Sequence, residues 1–242
     1  MRSIDWFHRL AGLPGFRHAV FVLCVIQKKV RYHPQNRPYT SDIGPLLTIG
    51  GLPHPDNSWV NPLQGLQHRL QTQTNPCFGL IVSMIEPHER TGYALCLIGA
   101  KRPIQPKEWE NFGIEYINCP TQDFTTHIDF EKIFEALCKM HACVCSKKAV
   151  YMHCQAGEGR AFILLMSFLG IYGKPLLSNN GEVTFKKFDN YETALADVKK
   201  VRPHVTNSEA RRAIILDIVT YCLLRLTTAQ SAPNASAVFS VS

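Results

Sequence analysis

The sequence predicts an α/β domain, on three observations. Residues 79–85 (Gly-Leu-Ile-Val-Ser-Met-Ile) and 149–153 are apolar runs of strand length and composition. Phe130, Ile133, Phe134 and Leu137 recur at i, i+3, i+4 and i+7, which marks a helix with one buried face. The run at 149–153 passes through a loop holding two glycines directly into an apolar helix that begins at Arg160 and reaches about Tyr172.

Taken in order, residues 1–40 read as an extension. Trp6, Phe7, Leu10 and Leu13 share a short apolar face beside Arg2, Arg9 and Arg17, until Pro14 and Gly15 interrupt it. Two readings stand: a membrane-surface or organelle-targeting segment, and a basic arm packed on the domain. From about Pro45 the α/β pattern begins, with strands expected at 46–49, closed by Gly50-Gly51, at 79–85 and at 113–118. A helix is expected over 128–138, with Thr126-x-x-Asp129 as its cap. After the strand at 149–153 and the helix from Arg160 come two more helices. Tyr191, Ala194, Leu195 and Val198 line a face of the first, and Ile215, Ile218, Val219 and Cys222 a face of the second. The folded domain is thus expected over 41–226. Residues 227–242 are small, polar and uncharged, and are expected to form a disordered tail.

Charge argues against a nucleic-acid partner. The chain carries +7, but residues 1–40 hold seven Lys/Arg against one acid, a balance of +6, which leaves +1 on the other 202 residues. A nearly neutral body lacks the electrostatic footprint of a nucleic-acid binder. The nine cysteines are odd in number and scattered, and Cys143-x-Cys145 and its neighbours do not complete a zinc pattern, so no metal or other cofactor is expected. Reduced thiols point to the cytoplasm. No apolar run approaches the ~20 residues needed to span a bilayer, and no small-residue cleavage site follows the run at 19–26.

The chemistry concentrates in Val150-Tyr151-Met152-His153-Cys154-Gln155-Ala156-Gly157-Glu158-Gly159-Arg160. Glycines let successive backbone N–H groups converge, and the helix that follows adds its positive N-terminal dipole, which together make an anion cradle. Such dipoles and a neighbouring arginine favour a thiolate at Cys154, a nucleophile toward phosphorus that needs no separate base. Arg160 can bond two phosphoryl oxygens at once through its planar fork. The bland alternative is a core cysteine beside a turn.

This stretch, His153-Cys154-x5-Arg160 between a strand and a helix, resembles the phosphate loop of the cysteine-based protein tyrosine phosphatase superfamily, in its compact dual-specificity branch. Leu47-Thr48-Ile49-Gly50-Gly51-Leu52-Pro53 resembles the opening strand and turn of dual-specificity and lipid-directed members, and Val201-Arg202-Pro203-His204-Val205 their Arg-Pro segment. The resemblance spans about 45–225 and is weakest over 57–75 and 178–188, where insertions or long loops are expected. It implies a protein tyrosine phosphatase-like fold, a central and mostly parallel sheet flanked by helices, and catalysis through a cysteinyl phosphate. It places the phosphate on Gln155, Ala156, Gly157, Glu158, Gly159 and Arg160. The family's general acid lies on a loop between a strand and a helix upstream, which here selects Asp123, with Asp129 in reserve. A plain turn residue is the alternative for Asp123.

Three positions depart from the family pattern. Ala161 replaces the usual Ser or Thr, whose hydroxyl helps the sulfur leave. Arg211 stands near the start of the last helix, where most members have Gln. Glu158 puts a carboxylate in a loop where phosphoinositide-directed members carry Lys or Arg, which should repel polyanionic head groups. The leading expectation is a phosphatase acting on phosphotyrosine, with phosphoserine or phosphothreonine. The alternatives are a phospholipid phosphatase of phosphatidylglycerophosphate or phosphoinositide type, with peripheral membrane contact through residues 1–40, and a phosphate-binding pseudophosphatase.

Overall fold

The computed structural model describes residues 40–53, 76–91, 102–122 and 128–231. Five strands form one sheet: β1 (Thr40–Asp42), β2 (Leu47–Gly50), β3 (Phe78–Ser83), β4 (Glu115–Asn118) and β5 (Ala149–His153), in the order β1-β2-β5-β3-β4. All neighbours are parallel except β1, which returns antiparallel on β2 at the edge. This is the mostly parallel sheet that the sequence predicts.

Central strands in such a sheet are buried on both faces, so alternate residues feed two cores. Val150 and Met152 of β5 join the larger core, whereas Ala149 and Tyr151 face a smaller one with Phe78, Ile81, Trp109 and Ile114. The larger core is built by α3 (Phe130–Cys145) and α4 (Arg160–Ile171), which pack against the sheet, with α5 (Tyr191–Val201) and α6 (Glu209–Ser231) outside them. Nearly every residue of α4 is buried, which explains an apolar helix without a polar stripe. Two short helices, α1 (Pro87–Thr91) and α2 (Pro106–Glu110), follow β3 and precede β4.

Several expectations are corrected. The residue that caps α3 is Asp129, whose side chain accepts the Lys132 N–H at 3.1 Å, and the helix runs to Cys145 because Met140 and Val144 continue its buried face. Thr126 lies outside the described residues. A hairpin, β6 (Lys174–Leu177) with β7 (Val183–Lys186), reaches into residues 178–188, where an insertion or a long loop is expected. The last helix continues to Ser231, past residue 227 where the tail was expected to begin. At the other end, the edge strand already starts at Thr40. The remainder of the basic extension and residues 232–242 lie outside the described residues. No helix among the described residues is long and apolar enough to cross a membrane.

Candidate active site

Parallel strands bring their carboxyl ends to one edge of the sheet, where ligand sites of such folds gather. Here β5 ends at His153 and delivers Cys154, β3 is followed by Met84, and β4 is followed by Cys119 to Thr121. The loop from Cys154 to Arg160 therefore sits between the ends of its neighbours.

The direction of its peptide groups defines the site. Each carbonyl from 155 to 159 is held from outside the loop's concave face: Gln155 O by Leu52 N–H (3.1 Å), Glu158 O by Thr206 N–H (2.9 Å) and Gly159 O by Ile163 N–H (3.0 Å). Arg202, fully buried, takes two more, donating from Nη2 to Ala156 O (2.9 Å) and from Nε to Gly157 O (2.8 Å). In a planar trans peptide the N–H points opposite the preceding carbonyl. The N–H groups of residues 156–160 accordingly face inward. Gly157 N–H donates to Cys154 Sγ at 3.2 Å, so the sulfur lies at the floor of this bowl. Cys154 is 3% exposed.

Local packing leaves little tolerance. Gly157 has φ +70°, and a Cβ there would meet Gly50 O at 2.4 Å and Arg202 Nη2 at 2.8 Å. Replacing Gly157 by alanine should therefore cost about 2–3 kcal/mol through backbone strain and collision, read as a lower denaturation midpoint; an unchanged midpoint would contradict this account of the bowl. Beneath the loop, Tyr151 Oη donates to Gly51 O (2.6 Å) and its ring stacks with His153 at 5.7 Å. His153 Nδ1 lies 3.3 Å from Cys154 O, a contact that orders the backbone at the start of the loop.

Arg160 opens α4 and is 4% exposed. Its Nη1 and Nη2 engage Glu89 end-on, at 2.6 and 2.8 Å, and Nη1 also donates to Met84 O and Thr121 O, each at 3.0 Å. The ends of β3 and β4 and helix α1 thus fix one cation. Burial pushes the Glu89 carboxyl up, but the Arg160 charge and hydrogen bonds outweigh it and hold the group below its ordinary range. Glu89 was not foreseen, because an acid 71 residues upstream of its partner carries no local signal.

The structure brings Cys154, Gln155, Ala156, Gly157, Glu158, Gly159 and Arg160 into this one loop. Gln155 is 5% exposed, and its Nε2 has no hydrogen-bond partner among the described residues. The Glu158 carboxylate lies 4.0 Å from His204 Nε2. Ala161 is fully buried in the first turn of α4. Asp123 lies outside the described residues, on the segment between β4 and α3. Asp129, the reserve acid, is committed to capping α3. Cys119 is a core thiol and Cys143 a half-buried one packed against the core, each pushed up to about 12 by burial. Among the described residues no group of three or more His, Cys, Asp or Glu is placed to hold a metal ion.

No protein-family profile matches the chain. Over 63 residues it is 33% identical to laforin of Mus musculus, a stretch covering 26% of this chain and 19% of that protein. In structure it resembles PTPMT1 in complex with PI(5)P, with TM-score 0.56, 16% identity and coverage of 78% of this chain and 99% of that one. It also resembles kinase associated phosphatase with its catalytic site cysteine replaced by serine (TM-score 0.55, 14% identity, 78% and 98% coverage). A third likeness is to Tk-PTP in the active form (TM-score 0.51, 20% identity, 76% and 97% coverage). The fold is therefore that of the cysteine-based protein tyrosine phosphatase superfamily.

Proposed function

We propose that this chain is a phosphomonoester hydrolase that works through a cysteinyl phosphate on Cys154 and acts on phosphotyrosine, with phosphoserine or phosphothreonine, in proteins. The observation that carries the reading is the loop whose carbonyls all face outward, whose Gly157 N–H donates to the Cys154 sulfur, and which ends in an arginine fixed by Glu89. That arrangement suits a tetrahedral dianion, whose oxygens take the amide hydrogens while the sulfur faces phosphorus.

In the first step the Cys154 thiolate gives its electron pair to phosphorus and the ester P–O bond breaks. Asp123 supplies the proton to the leaving oxygen. With Glu89 on the Nη1–Nη2 end of Arg160, the Nε–Nη2 edge is the fork presented to two phosphoryl oxygens. In the second step the Asp123 carboxylate accepts a proton from water, the water oxygen bonds to phosphorus, and the P–S bond breaks to return the thiolate and release phosphate.

Ala161 provides no hydroxyl to assist the departing sulfur, so the second step should limit turnover. Rapid mixing with p-nitrophenyl phosphate should give a burst of nitrophenol approaching one equivalent, then a slow steady rate, and acid quenching should trap phosphate on Cys154. Fast turnover without a burst would remove the role assigned to Ala161. No hydrolysis at all under reducing conditions would favour the pseudophosphatase.

A phospholipid substrate is the second reading. The Gly-Gly-Leu-Pro opening, the basic residues before 40 and the likeness to PTPMT1, crystallised with PI(5)P, support it. Preference for phospholipid vesicles over phosphopeptides, lost on removing residues 1–40, would establish it.

A further inference from the structure

Arg211 lies in the first turn of α6, with its guanidinium against the rim of the phosphate loop. A Cβ on Gly159 would come within 2.8 Å of Arg211 Nη2 and 3.2 Å of its Cζ, so the group fills the space the glycine leaves open. Its position is braced from two sides. Nη1 donates to Thr206 O at 3.0 Å, and the Arg211 backbone N–H donates to Ser208 Oγ at 3.3 Å. Thr206 N–H in turn donates to Glu158 O, which ties this segment to the loop itself. Whereas Arg160, Arg212 and Arg225 are paired with Glu89, Glu192 and Glu131, Arg211 has no carboxylate partner among the described residues.

We infer that Arg211 is a specificity residue that reads a carboxylate next to the phosphorylated residue of a peptide substrate, a role that rests on the phosphatase reading above. A guanidinium has five donors and no acceptor, so it cannot take a proton from the hydrolytic water. What it supplies at the lip of the bowl is charge and a planar fork, which match a carboxylate. A peptide fits better than a lipid surface. Attraction to anionic lipid sums many cations over a face, while Arg211 is a single cation in a body that carries only +1 beyond residue 40, with the Glu158 carboxylate in the adjacent loop.

The test uses the full chain carrying Cys154→Ser, so that binding is read without turnover. Two phosphotyrosine peptides that differ only by Glu or Gln beside the phosphotyrosine are titrated by fluorescence anisotropy. The Glu peptide should bind about fivefold more tightly at low salt, and the difference should shrink as ionic strength rises. Adding Arg211→Gln should abolish the ratio, Arg211→Lys should keep part of it, and Arg212→Gln, which removes the same charge one residue away, should leave it intact. A ratio of one in the parent, or a ratio that survives Arg211→Gln, overturns the proposal. So does tighter binding to phosphatidylcholine vesicles containing phosphatidic acid than to either peptide, if Arg211→Gln removes it. Hydrolysis by the wild-type chain without peptide discrimination overturns only this inference. Absence of hydrolysis overturns the phosphatase reading, and the binding ratio still decides the role of Arg211.

Discussion

Cys154→Ser should lower p-nitrophenyl phosphate hydrolysis by about four orders of magnitude or more, while tungstate or inorganic phosphate still binds. The loss follows because no described residue is placed to act as a base on the nucleophile. His153 Nδ1 faces the Cys154 carbonyl and not its sulfur, so a serine hydroxyl would stay protonated and unreactive. Binding should persist because the anion cradle is backbone, held open by Leu52, Thr206 and Arg202 through bonds that do not involve the sulfur. Hydrolysis at the wild-type rate would mean that the chemistry occurs elsewhere. Loss of oxyanion binding together with activity, in a variant that melts normally, would mean that the bowl is shaped by the sulfur.

Glu89→Gln is the second large effect. Glu89 and Arg160 are both about nine-tenths buried or more, and breaking a buried pair leaves an uncompensated charge. The amide retains one acceptor and turns an N–H toward the guanidinium. We expect a loss of about 3 kcal/mol, seen as a fall of roughly 6–12 °C in Tm. A displaced Arg160 fork should also lower kcat/KM by about a hundredfold. An unchanged melt would show that Met84 O and Thr121 O suffice to hold the arginine.

The same pair sets a pH dependence. The folded state holds the Glu89 carboxyl below its ordinary value, so its contribution is present above the unfolded pKa of about 4.3 and is lost as pH falls through the folded value. Stability of the wild-type chain should decline below about pH 4, and the Gln variant, lacking the titrating group, should show a flatter profile across that window. Equal slopes in the two proteins would assign the acid sensitivity to other carboxylates.

Long, strongly patterned elements were legible from the residues alone. The strand of β5 was read with its observed bounds, and α4 to within a residue at its far end, because burial on all sides demands an unbroken apolar run. Elements with weak local signal were not legible. The helices α1 and α2 are five residues each, too short to display a period, and β7 of the hairpin alternates half-buried and exposed residues with no fully buried face. The cap of α3 was placed three residues early because Thr126-x-x-Asp129 mimics a capping box, whereas Asp129 itself reaches the Lys132 N–H.

By itself, the sequence determined the α/β class, the order of the principal strands and helices, and the loop with its cysteine and arginine. These are local properties, written in periodicity, glycine placement and a motif that strand and helix enclose. Only the tertiary structure decided what holds that loop in shape. Glu89 meets Arg160 from 71 residues away and Arg202 meets Gly157 from 45, and Arg211 comes to rest on Gly159. Such partners share no spacing or pattern along the chain. They are chosen when the parallel strands align their carboxyl ends and the outer helices close over them, because buried charges and carbonyls must then find each other.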